Sequence, residues 1–150
     1  MIRVHGTSVA LGGDGILLRG PSGSGKSDLA LRLIDEGGRL VADDQTELRL
    51  FGDDVSMAAP ATIAGRMEVR GVGLLRVPAV ASAPLRLVVD LVPSTSTAIE
   101  RLPEPQTCDY LDRRFPLIQL APFEASAPAK LRLALRALGP AAPRTILVTT

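Results

Sequence analysis

Residues 20–27 read Gly20-Pro21-Ser22-Gly23-Ser24-Gly25-Lys26-Ser27, and this octapeptide constrains the fold more than any other stretch. It fits G-x-x-x-x-G-K-[ST] in full, and the chemistry behind that pattern needs these residue types. Glycines let successive backbone N–H groups turn inward onto an anion with no Cβ in the way. Lys26 then reaches the β- and γ-phosphates of a nucleotide, and the Ser27 hydroxyl is a ligand for Mg²⁺. The helix that follows aims its positive end at the same anion. Such a loop works only between a strand and a helix, and both flanks comply. Gly15-Ile16-Leu17-Leu18-Arg19 is a short apolar run. Beyond Lys26, Leu29, Leu33 and Glu36 fall on i, i+4, i+7 spacing, with Ala30 and Ile34 widening the apolar stripe. The competing reading is a chance glycine-rich turn, which average composition produces in a chain of this length on the order of 1% of the time or less.

Composition removes several function classes. The 150 residues carry 17 Lys+Arg against 16 Asp+Glu, a formal net charge of +1, which argues against a strongly basic nucleic-acid binder. Aromatics make up 3% and Trp is absent, so no base-stacking surface for single strands is expected. One cysteine, Cys108, excludes an internal disulfide framework and fits a reducing compartment. No apolar run approaches the ~20 residues of a membrane span, and the segment Met1 to Gly6 has no export-type apolar region. The expectation is a soluble cytoplasmic domain over residues 1–138 with a C-terminal tail, 139–150, frayed or packed on a neighbour.

Elsewhere the punctuation predicts the following elements. Val4–Leu11 and Gly15–Arg19 read as strands about the turn Gly12-Gly13-Asp14. Gly37-Gly38 stops the first helix, and Arg39–Ala42 is a strand running into Asp43-Asp44. Glu47–Phe51 and Val55–Ala58 flank a hairpin turn at Gly52-Asp53-Asp54. Ile63–Val77 reads as a loop followed by a strand, and Leu85–Val92 as a buried strand. Four prolines (93, 103, 105, 116) make Pro93–Pro116 an irregular surface stretch. Pro128–Leu138 is a second helix with Leu131, Leu135 and Leu138 on one face. The fold class is therefore α/β: a P-loop-containing mixed β-sheet with flanking helices.

Two acidic segments complete the candidate site. Asp43-Asp44 stands 17 residues beyond Lys26 at the carboxyl end of a strand, where α/β sheets bind ligands. One carboxylate suits Mg²⁺ and the other can accept a proton from an attacking hydroxyl. An Asp-Asp pair ordinarily just closes a strand in solvent, and its position after the loop raises it above that. In Glu68-Val69-Arg70-Gly71-Val72-Gly73, alternation puts Glu68 and Arg70 on one face. Spacing alone leaves open whether they serve Mg²⁺ and phosphate or form a surface ion pair.

Together, His5-Gly6, the loop Gly20–Ser27, Ala42-Asp43-Asp44 and the Glu-x-Arg-Gly-x-Gly segment from Glu68 to Gly73 resemble the catalytic domain of HPr kinase/phosphorylase, in the family's order. The similarity is strong over residues 4–78 and thin beyond. It implies a fold like that of phosphoenolpyruvate carboxykinase and HPr kinase, and an ATP- and Mg²⁺-dependent bifunctional enzyme. That enzyme phosphorylates a serine of HPr, the phosphocarrier of the sugar phosphotransferase system, and removes the phosphate by attack of inorganic phosphate. The resemblance further implies that Lys26 contacts phosphate, that Ser27 and Glu68 bind Mg²⁺, and that Asp44 accepts the serine proton; Asp43 is the further metal candidate by its position after the strand. His5 matches an active-site histidine, Arg70 belongs to the signature, and Arg101 is matched to a further active-site arginine. A homohexamer is implied as well.

Two departures qualify the match. Only four residues precede His5, so the expectation is a short form lacking the N-terminal domain of longer members. The family's late basic loop has no counterpart in Gln119–Ser126, which holds neither arginine nor glycine; a phosphate co-substrate loses a cation there, and weak or absent phosphorolysis is expected. The rival readings are a small-molecule kinase and a non-catalytic nucleotide-sensing module that regulates a sensor kinase.

Overall fold

The computed structural model of the chain describes residues 1–138; the tail expected over 139–150 lies outside them. In chain order the elements are β1 (Ile2–His5), β2 (Thr7–Leu11), β3 (Asp14–Arg19), α1 (Lys26–Asp35), β4 (Arg39–Ala42), β5 (Gln45–Phe51) and β6 (Asp54–Ala58). A 3-10 turn at Ala61–Ile63 leads to β7 (Arg66–Val69), β8 (Gly73–Arg76), β9 (Ser82–Leu91), β10 (Gln106–Tyr110), β11 (Arg113–Leu120) and α2 (Ala127–Leu138). Nine strands form one mixed sheet in the order β1-β5-β6-β9-β3-β2-β4, with β11 joined to β9 and β10 to β11; β7 and β8 form a hairpin of their own. Among the described strands, the β3–β9 and β9–β11 pairings are parallel, and an isolated parallel bridge joins Leu40 to Ala79.

β3 and β9 lie at the centre because they are apolar on both faces. Ile16 and Leu18 of β3, with Leu87, Val89 and Leu91 of β9, pack beneath the helices against Leu29, Leu33, Leu131 and Leu135. Leu17 and Val88, which alternate with them, point the other way, onto Leu48, Val55 and Met57 of β5 and β6 and Phe115 of β11, and Leu85 joins that side where the β3–β9 register shifts between Gly15 and Ile16. Period-2 alternation thus divides one strand between two cores, the pattern of strands covered on both sides.

The helices follow their apolar stripes. α1 buries Leu29, Ala30, Leu33 and Ile34. It ends where Gly37 N–H donates to Ile34 O at 3.0 Å and Gly38 N–H to Leu33 O at 2.9 Å, the paired bonds of a Schellman cap. α2 buries Leu131 and Leu135, Leu138 is half-buried, and Arg132 forms an ion pair with Glu36 that ties the two helices.

Three expectations need correction. The run Val4–Leu11 is two strands, broken at Gly6. β1 pairs with β5, whereas β2 pairs with β3 and β4, and a Cβ on Gly6 would lie 2.9 Å from both Leu17 Cδ1 and Leu18 O. Glycine lets the chain cross over β3 at contact distance. Ile63–Val77 holds a two-stranded hairpin where a single strand was expected. Finally, Pro93–Pro116 is not wholly irregular: β10 lies within it, and Pro116 lies inside β11. That proline faces Thr107 of β10, and pairing to β9 begins only at Leu117. Its position therefore has one unpaired side, where a residue without an N–H is tolerated.

Candidate functional site

The loop 20–25 leaves β3 and enters α1 through Gly25, whose φ of 102° is a left-handed conformation. Lys26 is almost wholly buried. Its ammonium folds back to donate to the carbonyls of Gly20 (2.7 Å) and Pro21 (3.0 Å). Two of three donors are thereby fixed, and the third remains for a ligand oxygen.

The acidic pair sits across from it. β4 pairs with β2, which brings residues 43–44 beside the start of β2. Asp43 is 9% exposed and its carboxylate has a partner on each side. Ser27 donates to Oδ1 at 2.8 Å, Thr7 to the same oxygen at 3.2 Å, and the Glu68 backbone N–H to Oδ2 at 3.3 Å. A buried carboxylate needs this kind of satisfaction. Asp44 turns the opposite way. Its φ is +69°, an uncommon conformation that Asp tolerates better than most residues, and its N–H donates to Thr7 Oγ1 at 3.1 Å. The consequence is a split pair: Asp43 faces Ser27, and the exposed Asp44 carboxylate meets His5 Nε2 at 2.9 Å.

Lys26, Ser27, Asp43 and Asp44 line one cleft of about 480 Å³, within the size range of small-ligand sites. Ser22, Gly23, Gly25, Lys26 and Ser27 form its floor, with Asp43 and Asp44 on the β4 side. The β7–β8 hairpin supplies another wall. Along it Met67 is buried while Glu68 and Arg70 are exposed, as alternation predicts, and all three line the cleft. Gly20, Pro21 and Ser24 belong to the loop but do not line the cleft, and His5 joins through Asp44. Arg101 lies exposed in the segment between β9 and β10 and is not among the lining residues.

Sequence reasoning overlooked three contributors. Thr7 is fully buried and bonds to both aspartates; its place two residues after His5 was the available signal. Asp28 of α1 lines the cleft, as does Phe123 from the segment before α2. A second ionic cluster supports the loop from behind. Arg19, the last residue of β3, donates to both carboxylate oxygens of Asp90 at 2.7 and 2.9 Å and to Tyr110 OH at 2.9 Å. The bond to Asp90 raises the guanidinium pKa further, and burial nearby pushes the Cys108 thiol up.

Four carboxyl side chains line the cleft (Asp28, Asp43, Asp44, Glu68) against two cations, Lys26 and Arg70. No cluster of three or more His, Cys, Asp or Glu suited to a metal occurs among the described residues. The oxygens that could hold one are the Ser27 hydroxyl, bonded to the Asp43 carboxylate, and the Glu68 carboxylate, which lines the same cleft. Hard oxygens in small number suit Mg²⁺, which keeps several waters and draws its remaining ligands from phosphates.

Residues 1–124 match the family described as HPr Serine kinase C-terminal domain. A HPr kinase/phosphorylase of Burkholderia lata is 40% identical over 117 residues, covering 72% of this chain and 36% of the relative. One from Caldanaerobacter subterraneus subsp. tengcongensis is 48% identical over 77 residues, covering 51% and 25%. The chain thus spans only about a quarter to a third of the length of these curated relatives. The solved Hpr(Ser) kinase/phosphatase of Coxiella burnetii shares the fold at TM-score 0.80 and 24% identity, over 91% of this chain and 95% of that one. The phosphate loop alone is common to many unrelated enzymes, but the match runs through the divided aspartates and the hairpin beyond them, and the chain belongs to the HPr serine kinase C-terminal domain family.

Proposed function

We propose that this chain is an ATP- and Mg²⁺-dependent protein kinase that phosphorylates a serine of HPr. The observation that carries the reading is the division of the acidic pair: Asp43 held by Ser27 beside the loop, Asp44 turned out beside His5. Phosphoryl transfer asks for a phosphate cradle, charge neutralisation and a base placed for the nucleophile, and these residues supply each. The curated relatives carry the name HPr kinase/phosphorylase, which supports HPr as the acceptor.

In this reading the loop N–H groups and Lys26 hold the β- and γ-phosphates. Ser27, Asp43 and Glu68 would hold Mg²⁺, which, when bound, neutralises phosphate charge in a cleft otherwise rich in carboxylates. Asp44 accepts the proton of the serine hydroxyl as its oxygen bonds to the γ-phosphorus and the bond to the β-phosphate bridging oxygen breaks, releasing ADP. His5 holds the Asp44 carboxylate in place, and Arg70 offers a guanidinium to the transferring phosphoryl oxygens. Arg101 keeps a further active-site role on the family resemblance alone, since it does not line the cleft.

The segment 121–126 places Pro122 and Phe123 against Gly25 and brings no cation into the cleft. This favours weak or absent phosphorolysis of phosphoserine-HPr. A homohexamer and a cytoplasmic location belong to the same proposal; no helix among the described residues is long and apolar enough to cross a membrane.

The test is incubation with γ-labelled ATP and Mg²⁺, offering purified HPr or a panel of small metabolites, with and without inorganic phosphate. Label on an HPr serine, little of it released by phosphate, is expected. Label on a metabolite alone would make the chain a small-molecule kinase. Tight ATP binding with no transfer to any acceptor would make it a sensing module.

A further inference from the structure

We infer that Phe123 is the platform on which the base of the bound nucleotide stacks. The inference rests on the nucleotide reading above and adds a residue that contributes affinity for the base. Phe123 is 69% exposed, yet it follows the buried pair Ala121 and Pro122, so the ring is turned out of the core by its own well-packed backbone. Single exposed apolar side chains are ordinary on a protein surface; this one lines the cleft together with Lys26 and Ser27.

The ring is also held. The Arg32 guanidinium of α1 donates to the carbonyl of Pro122 and, at 3.3 Å, to that of Glu124, bracketing residue 123 on both sides. Lys130 of α2 lies 3.5 Å from the Glu124 carboxylate. The tip of the ring packs over the start of α1, with Phe123 Cζ 2.9 Å from where a Cβ on Gly25 would stand. Glycine at that position is what admits the ring beside the phosphate floor.

A nucleoside triphosphate bound through its phosphates on this floor has one large apolar surface left to cover, the face of its base. Among the described residues lining the cleft, Phe123 is the one aromatic, and Leu31 of α1 lines it as well. A base stacking on an aromatic side chain commonly accounts for about a tenfold or greater share of affinity. A preset, already exposed ring captures that gain without paying to reorganise.

The test compares binding of Mg²⁺–ATP with Mg²⁺–tripolyphosphate, which carries the phosphates without the base, for the full chain and two variants, Phe123→Ala and Phe123→Trp. The exposed ring makes no core contact whose loss would unfold the domain. Phe123→Ala is expected to weaken ATP about tenfold while leaving tripolyphosphate within twofold, and Phe123→Trp to restore ATP. ATP binding unchanged in Phe123→Ala would overturn the assignment, as would an equal loss for both ligands, which would mark a role in loop shape. If the wild-type chain bound neither ligand, the nucleotide reading itself would fall. If it bound both equally, only the base platform would.

Discussion

His5 Nε2 and Asp44 Oδ1 lie 2.9 Å apart although 39 residues separate them in sequence. Two pairings bring them together: β1 runs beside β5, with His5 opposite Gln45, and Gly6 N–H donates to Asp44 O at 2.9 Å. In the proposed mechanism His5 positions the Asp44 carboxylate. Replacing it by Ala should lower the transfer rate about tenfold with nucleotide affinity unchanged, measured as separate kcat and Kd values. A matching loss of affinity would place His5 on the nucleotide itself.

Asp43 answers differently because its partners differ. Asp43→Asn leaves Ser27 and Thr7 facing an altered acceptor in a buried site, so loss of a charged hydrogen-bond partner should cost about 1–3 kcal/mol of stability. Urea unfolding checks this, and the same variant should need more Mg²⁺ for nucleotide binding. Stability equal to wild type would contradict the buried network.

Chelation should abolish nucleotide binding before it affects folding. Four carboxyl groups against two cations in the cleft repel a triphosphate unless a divalent ion intervenes. Titration calorimetry with ATP in EDTA, then with Mg²⁺ restored, reads this directly. Affinity that survives EDTA would show that Lys26 and the loop suffice.

Gly6→Ala tests the crossing of β1 into β2. Its Cβ would meet Leu17 Cδ1 and the Leu18 carbonyl at 2.9 Å, and backbone cannot yield as a flexible side chain does. Overpacking of this kind costs about 1–3 kcal/mol. Because the same residue tethers Asp44, transfer should fall as well; a fully stable and fully active variant would refute the close approach.

Much of the site was legible in the sequence because local rules govern its parts. The loop needs glycines and a Lys-Ser pair in consecutive positions, and α1 declares itself by its apolar stripe and Gly37-Gly38 stop. Central strands such as Leu85–Val92 show as apolar runs. What stayed hidden depends on long-range pairing. Nothing near Gly6 announces that the chain changes partners there, and prolines at 103, 105 and 116 mask strands that form only because β9 and β10 lie alongside. Thr7 and Phe123 gain their places from contacts more than 30 and 90 residues away in the chain, beyond what periodicity can reach. Alternation places Glu68 and Arg70 on one face, but only the folding of the hairpin brings them to the cleft.

In the proposed mechanism Asp44 is the group that takes the serine proton. Single-turnover transfer from ATP to HPr by Asp44→Asn, with ATP affinity measured on the same sample, isolates that role. Nucleotide binding within a few-fold of wild type and a transfer rate reduced about 10²–10⁴-fold is the predicted result. Transfer at the wild-type rate with binding intact would contradict it.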